Sequence, residues 1–395
     1  MILIISCVFP PEPVVSASLS KDIADKLSVS EEVTVLHPKP SRPDGFKFDC
    51  KTTGTKSNYT EIIVDSYTCS RYSVMGRLRE SNSFGKKSVD YIKKHHKKIK
   101  SIYLNTWPLL AQYRIVKIAK HLNIPCVSHI HDIYPESYTN RLPLILQGII
   151  KALLLPLDKF ILKNSTKVIS VSDSMKEVLS QTRKIDSKHI SVIYNWQDES
   201  KFQESNNMVN DKFTFMYLGN LGPYSCIDVI INAFVKLNNC RLIIAGSGSM
   251  ENCLRDHAKT VGGDIVFMKA IREEVPQIQN IANIFILSLK TGGAKTGMPS
   301  KIPAYMFSSK PIIACIDADS DAARAIITSG CGRVTEPENI ELLAAEMTRM
   351  YNLPTEQLEL MGKEGKEYAL QHFSKKNNLK NITTLIQNIA NGNLG

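Results

Sequence analysis

With 395 residues, 43% of them hydrophobic, the chain is too long for a single core, which rarely grows past about 250–300 residues, so two domains are expected. Its nine cysteines include no C-x-x-C pair and no metal-ligand spacing. This argues against a disulfide scaffold or a cysteine-held metal and for reduced thiols in a cytosolic protein. The formal net charge of +11 calls for a partner of opposite sign.

In chain order, the apolar start MILIISCVF reads as a first strand rather than a signal peptide, because it has no basic leader and no small-residue cleavage site. Pro10-Pro11-Glu12-Pro13 turns the chain over that strand's carboxyl end. Residues 16–27 read as a helix with Leu19, Ile23, Ala24 and Leu27 on one face. A strand follows at residues 33–37, and residues 41–60 are polar and rich in Pro, Gly and Lys, as a loop is.

Residues 72–98 are helical by pattern and carry the densest charge, with ten Lys/Arg against two acids from Arg71 to Lys100. An anionic membrane surface is the preferred partner for Lys86, Lys87, Lys93, Lys94, Lys97 and Lys98, each worth about 1 kcal/mol near acidic headgroups. Nucleic acid is the rival that this reading sets aside. Strands at residues 101–106 and 125–130 flank a helix at 109–122, an alternation that predicts a doubly wound parallel sheet.

The strand at 125–130 runs into His129-Ile130-His131-Asp132-Ile133-Tyr134-Pro135-Glu136. Ionisable groups gathered at a strand's carboxyl end point to a cleft, and Asp132, His131 and Glu136 are the candidate catalytic residues. Residues 142–162 form the most apolar window, yet Lys151, Asp158, Lys159 and two prolines interrupt it. Charge at a bilayer centre costs at least ~2.5 kcal/mol per residue, so a helix lying on a membrane surface or buried fits better than a span. A strand at 168–171 and a serine- or aspartate-capped helix at 172–180 follow, and residues 197–212 are a polar linker.

The second half repeats the alternation. Strands are expected at 213–218, 242–245, 265–268, 284–289 and 312–316, with glycine loops at Gly219-Asn220-Leu221-Gly222 and Gly246-Ser247-Gly248. The second loop lacks the third glycine of a dinucleotide fingerprint, which argues against a nicotinamide enzyme. Residues 292–311, GGAKTGMPSKIPAYMFSSKP, lie between two apolar strands. There Thr296, Gly297, Met298 and Pro299 lead into a helix that begins near Ser300 or Lys301. A helix start with a lysine suits an anion such as pyrophosphate. The tail, residues 366–389, is helical by pattern.

The ordered set VFPPEPVVSAS, HIHDIYPES, VISVSDSM, VIYNW, GNLG, LIIAGSGSM, PSKIPAYM with KPIIA, and GCGRVTEPEN resembles family 4 glycosyltransferases, most closely the branch that builds O-antigen and capsular polysaccharide. The resemblance implies an α/β fold of GT-B architecture, with two doubly wound Rossmann-like domains facing across a cleft. Residues 1–196 would form the acceptor-binding domain and 213–372 the nucleotide-sugar domain, with 373–395 crossing back to the first. It implies a retaining, metal-independent enzyme that needs no cofactor beyond a nucleotide-sugar co-substrate, with UDP the commonest in the branch. The basic segment and the apolar helix, two membrane signals in one domain, add a polyprenyl-diphosphate-linked saccharide as the expected acceptor. The enzyme would sit at the inner face of the cytoplasmic membrane.

Donor contacts carried over from the resemblance are Gly219, Asn220, Gly222, Gly246, Arg272, Thr296, Gly297, Met298, Pro299, Ser300 and Lys301. The sequence departs from the family where its members commonly hold two glutamates, since Thr296 and Ala304 stand there. Asp317, Asp319, Ser320 or Asp321 is the expected replacement for ribose recognition. Val14-Val15-Ser16 likewise replaces the usual glycine pair of the first loop. The missing acids keep open a non-catalytic scaffold of a polysaccharide assembly complex, and the shared architecture a sugar-nucleotide epimerase, against which the basic, apolar amino-terminal surface argues.

Overall fold

A computed structural model describes residues 1–42, 57–69, 74–105, 108–136, 143–202, 211–269, 275–294 and 298–393. The chain divides into two compact units, Met1–Asn195 with Asn378–Gly395, and Trp196–Asn377.

In the first unit a parallel sheet is built from β1 (Ile2–Ile5), β2 (Val33–Pro38), β3 (Thr60–Val64), β4 (Ser101–Asn105), β5 (Cys126–Ile130), β6 (Lys167–Ser170) and β7 (Ile190–Val192). Its order is β3-β2-β1-β4-β5-β6-β7. Strands such as Ile-Leu-Ile-Ile of β1 are apolar on both faces because helices cover both. Those helices are α1 (Val15–Leu27), α2 (Val74–His95), α3 (Leu109–His121), α4 (Leu144–Asn164) and α5 (Asp173–Arg183). Close packing of α2 on α3 rests on Gly85, where a Cβ would stand 2.7 Å from the Ala111 Cα. β3 was not foreseen, since this half-exposed edge strand begins within the polar stretch read as loop.

The second unit has the parallel order β10-β9-β8-β11-β12-β13. Its strands are β8 (Phe213–Leu218), β9 (Cys240–Ala245), β10 (Ile265–Met268), β11 (Ile284–Ser288), β12 (Ile312–Cys315) and β13 (Gly332–Thr335). Its helices are α6 (Ile227–Phe234), α7 (Glu251–Val261), α8 (Val275–Gln279), α9 (Lys301–Phe307), α10 (Asp321–Ser329), α11 (Ile340–Tyr351) and α12 (Thr355–His372). The last helix, α13 (Lys375–Ala390), joins the first unit from Asn378 onward.

The tail is thus two helices, with a break at Phe373-Ser374, and α12 begins earlier than its glycines suggest. Gly362 and Gly365 lower helix propensity, but they let α12 lie against the turn at Ser309 and against Cys331. A Cβ at Gly362 would stand 2.0 Å from the Ser309 carbonyl oxygen.

In both sheets the strand order reverses once, between β1 and β4 and between β8 and β11. Crevices at such reversals, beyond the strands' carboxyl ends, are where open α/β sheets bind ligands.

Candidate active site

In the second unit the loops after β8, β9 and β11 meet at the reversal. Gly219 follows β8 with φ 152, a backbone conformation that favours glycine, and a Cβ there would lie 2.0 Å from Lys301 Cε, so a side chain would push the lysine off this path. Gly246, at φ 145, is similarly obligatory, because its Cβ would fall 1.9 Å from the Gly219 carbonyl oxygen. The two glycine loops are laced together by Leu221 N–H donating to Ser247 C=O and Met250 N–H to Leu221 C=O, each at 2.9 Å.

Lys301 opens α9 and reaches over β8. Its ammonium donates to the Tyr217 hydroxyl at 2.8 Å and lies 4.7 Å from the centre of that ring. Tyr217 in turn donates to the Asn220 carbonyl at 2.8 Å. Burial depresses the Lys301 pKa to about 8, and among the described residues no carboxylate pairs with it.

A second tyrosine fixes the helix. The Tyr305 hydroxyl donates to Leu218 C=O at 2.9 Å and accepts from Leu218 N–H at 3.0 Å, and its ring stacks on Phe285 at 4.1 Å. A cation partly withdrawn from water without a counter-charge is costly to maintain, and this one is held by the hydroxyl and ring of Tyr217.

The remaining donor candidates divide by role. Ser300 is exposed and makes no cap hydrogen bond, while Ile302 N–H is taken by Pro299 C=O at 3.1 Å, so α9 offers an anion fewer free N–H groups than expected. Met298 is half-buried beside Pro299. Asn220 contributes its carbonyl to Tyr217 and to the Ser225 hydroxyl, and Gly222 is buried.

Asp317, expected to replace the ribose-binding glutamate, is a buried staple. Its carboxylate accepts Gly292 N–H at 2.9 and 3.1 Å and Ala294 N–H at 3.3 Å, which shapes the loop after β11. Ser320 caps α10 by accepting Ala323 N–H at 3.2 Å and donates to Asp317 C=O, and Asp321 pairs with Arg324 at 2.6 Å. All three are spoken for by the fold. Arg272, Thr296 and Gly297 lie outside the described residues.

In the first unit β5 delivers His129 into the core, where the Tyr103 hydroxyl meets its Nδ1 at 2.7 Å, and His131 to the strand's carboxyl end, its ring 4.2 Å from that of His129. Burial lowers the His131 pKa to about 4 and pushes that of His129 further below its ordinary range. His131 is therefore a neutral imidazole at physiological pH, suited to orienting a hydroxyl and poor at removing its proton. Asp132 is exposed beside it.

Glu136 is no free acid. It accepts from Arg183 at 2.9 and 2.6 Å and from Lys151 at 3.2 Å, and Arg183 also binds Asp158 at 2.7 Å. Burial raises the Glu136 pKa, but the Arg183 hydrogen bonds and charge outweigh it and hold the carboxyl below its usual range. The expectation of catalysis by Glu136 gives way to a network that ties the loop after β5 to α4 and α5.

Two family profiles match consecutive stretches: "Glycosyltransferase Family 4" over residues 21–201 and "Glycosyl transferases group 1" over residues 198–368. The chain is a family 4 glycosyltransferase of the GT-B type. Among curated proteins it is 22% identical to the "Probable glycosyltransferase WbjE" of Pseudomonas aeruginosa over 71% of this chain and 72% of that one. An uncharacterised glycosyltransferase of Methanocaldococcus jannaschii is 29% identical over 25% of this chain and 29% of its own.

The same fold is found in sucrose-phosphate synthase of Thermosynechococcus elongatus, at TM-score 0.74 and 15% identity over 99% of this chain and 100% of that one. Anabaena HepE in complex with UDP gives 0.72 and 16% over 98% and 99%.

For this glycosyltransferase, sequence reasoning missed Tyr217 and Tyr305, which look like ordinary core aromatics; a tyrosine at the end of a strand facing a P-S-K helix was the available signal. It also missed Glu338, whose carboxylate accepts the Thr291 N–H at 3.1 Å and hydroxyl at 2.8 Å beside the same loop. Among the described residues no group of three or more His, Cys, Asp or Glu could hold a metal, and no helix is long and apolar enough to cross a membrane.

Proposed function

We propose that this glycosyltransferase moves a sugar from a UDP-linked donor to a polyprenyl-diphosphate-linked saccharide, with retention and without a metal, in O-antigen or capsular polysaccharide synthesis. The observation that carries the donor half is Lys301, a half-buried ammonium lacking a carboxylate partner among the described residues, at the reversal of a parallel sheet. The leaving diphosphate gains negative charge as the sugar departs. A preorganised cation stabilises that charge more than the ground state, which is the requirement for catalysis. HepE has been solved with UDP and with UDP-glucose, which supports a uridine nucleotide as donor.

On the acceptor side, neutral His131 and exposed Asp132 would orient the attacking hydroxyl. In a front-face retaining reaction the leaving phosphate oxygen takes that hydroxyl's proton, so a low pKa for His131 is no obstacle. The polysaccharide setting draws on the sequence resemblance and on WaaG, a structural neighbour at TM-score 0.68 described as involved in lipopolysaccharide biosynthesis.

Two surfaces support attachment at the inner face of the cytoplasmic membrane. Leu146, Ile149 and Leu153 stand 46, 56 and 68% exposed at helical spacing on α4. Lys86, Lys87, Lys93, Lys94, Lys97 and Lys98 are all exposed, with no ion pair among the described residues. Apolar and electrostatic signals together are what stable one-leaflet binding requires.

The test is release of UDP from UDP-sugars with and without a polyprenyl-diphosphate-linked saccharide, with the product anomer read by NMR. Acceptor-dependent release with retained configuration supports the reading. Turnover of donor alone, or an inverted product, contradicts it.

A further inference from the structure

The amino-terminal edge of the first unit's sheet, opposite His131 and Asp132, carries an open groove of about 970 Å³ between α13 and the segment joining α5 to β7. Five lysines line it: Lys163 at the end of α4, Lys167 at the start of β6, Lys184 and Lys188 before β7, and Lys380 on α13. Among the described residues none of the five has an ion pair; Lys167 donates to the Lys188 carbonyl at 2.8 Å. Asp186 is the acid in the lining, and its carboxylate already accepts the Lys188 N–H at 2.9 Å.

Two details set this apart from a merely solvated basic surface. His189 also lines the groove, and its buried Nε2 has no hydrogen-bond partner among the described residues. Lys184 ends α5 in the left-handed region, at φ 55 and ψ 57. Glycine or asparagine is the low-cost residue there, and either would remove the ammonium from the rim.

We propose that this groove is a second anion site, taking a phosphate-bearing ligand remote from Lys301 and independent of the donor reading. Five ammonium groups around one concavity create a positive potential that local acids do not cancel. A compact multivalent anion could be shared between Lys380 on α13 and the lysines flanking β6 and β7, and in bridging them would hold the last helix against the sheet. The phosphate could be free or part of an anionic lipid headgroup.

The experiment uses the full chain and two probes: tripolyphosphate by titration calorimetry, and phosphatidylglycerol vesicles by co-sedimentation against phosphatidylcholine. Each is repeated with Lys184→Gln/Lys188→Gln/Lys380→Gln and, as a control of equal charge change, with the exposed Lys26→Gln/Lys201→Gln/Lys363→Gln. Saturable tripolyphosphate binding that weakens at least tenfold in the groove variant and survives in the control assigns free phosphate. A preference for phosphatidylglycerol that weakens in the groove variant and is unchanged in the control, without tripolyphosphate binding, assigns a headgroup.

Lysine acylation mapped on the wild-type protein gives a readout that does not depend on how the variants fold: either probe should protect Lys184, Lys188 and Lys380. Absence of binding to both probes, binding unchanged in the groove variant, or no protection of these lysines overturns the proposal.

Discussion

The Lys301 ammonium donates to the Tyr217 hydroxyl at 2.8 Å, across a backbone position, Gly219, where any side chain would occupy the space of the lysine stem. The relationship joins three elements that are distant in sequence: the end of β8, the glycine loop and the first residue of α9. It makes Gly219 as necessary to the site as the charge itself. Gly219→Ala should therefore weaken nucleotide binding at least tenfold while the protein stays folded, as calorimetry and circular dichroism would show. Affinity equal to wild type would mean that Lys301 does not need its observed path.

Tyr217→Phe separates two roles of the tyrosine. The ring that faces the ammonium at 4.7 Å remains, whereas the hydroxyl that positions it is lost. A charged hydrogen bond is worth about 1.5–3 kcal/mol, and bound phosphate would replace much of it. The expected outcome is a lower kcat with a smaller change in KM, measured by steady-state UDP release.

The depressed pKa of Lys301, about 8, sets opposite pH trends for binding and stability. A diphosphate binds the charged form, so affinity should fall as pH rises through about 8, and binding at that pH should take up protons. The free protein behaves in the other sense. Between the folded value and the ordinary lysine value of about 10.4, the unfolded chain binds more protons, so this group's contribution raises stability with pH across that window. Calorimetry in buffers of different ionisation enthalpy checks the first trend, and denaturant unfolding between pH 7.5 and 10 checks the second.

Arg183 is buried and holds both Glu136 and Asp158. Removing one member of such a network leaves buried charge uncompensated, at a cost of about 3–5 kcal/mol. Arg183→Met should lower the melting temperature by about 6–20 °C, at roughly 2–4 °C per kcal/mol. Glu136→Gln, which keeps one acceptor for Arg183, should cost far less and leave activity largely intact, unlike Asp132→Asn.

If α4 and α2 attach the protein to a membrane, Leu146→Ser/Ile149→Ser/Leu153→Ser should abolish binding to neutral and acidic vesicles alike. Neutralising Lys86, Lys87, Lys93 and Lys94 of α2 with Lys97 and Lys98 of the turn after it should remove most of the preference for acidic lipid, and with it the salt dependence. Vesicle flotation at two ionic strengths distinguishes the two effects.

Most of the fold was legible because parallel strands buried on both faces announce themselves as short apolar runs, as Ile2–Ile5 and Ile284–Ser288 do. The half-exposed edge strand Thr60–Val64 carries no such signal, and the glycines of α12 hide a helix that tertiary packing stabilises. Lys301 and the glycine loops could be found from spacing. The roles of Glu136 and Asp317 could not, because a carboxylate in a loop reads the same whether it meets a substrate, a distant Arg183 or the backbone N–H of Gly292. The partners lie tens of residues away, and only the fold brings them close.

Whether Lys301 is the donor's phosphate-binding cation is read from thermal unfolding with UDP, GDP, dTDP and CMP, for wild type and Lys301→Ala. A ligand at 100 times its Kd stabilises by about 2.7 kcal/mol, a shift of several degrees. The expected result is that shift with UDP in the wild type and its loss in Lys301→Ala. An equal shift in both proteins, or none with any nucleotide, would contradict it.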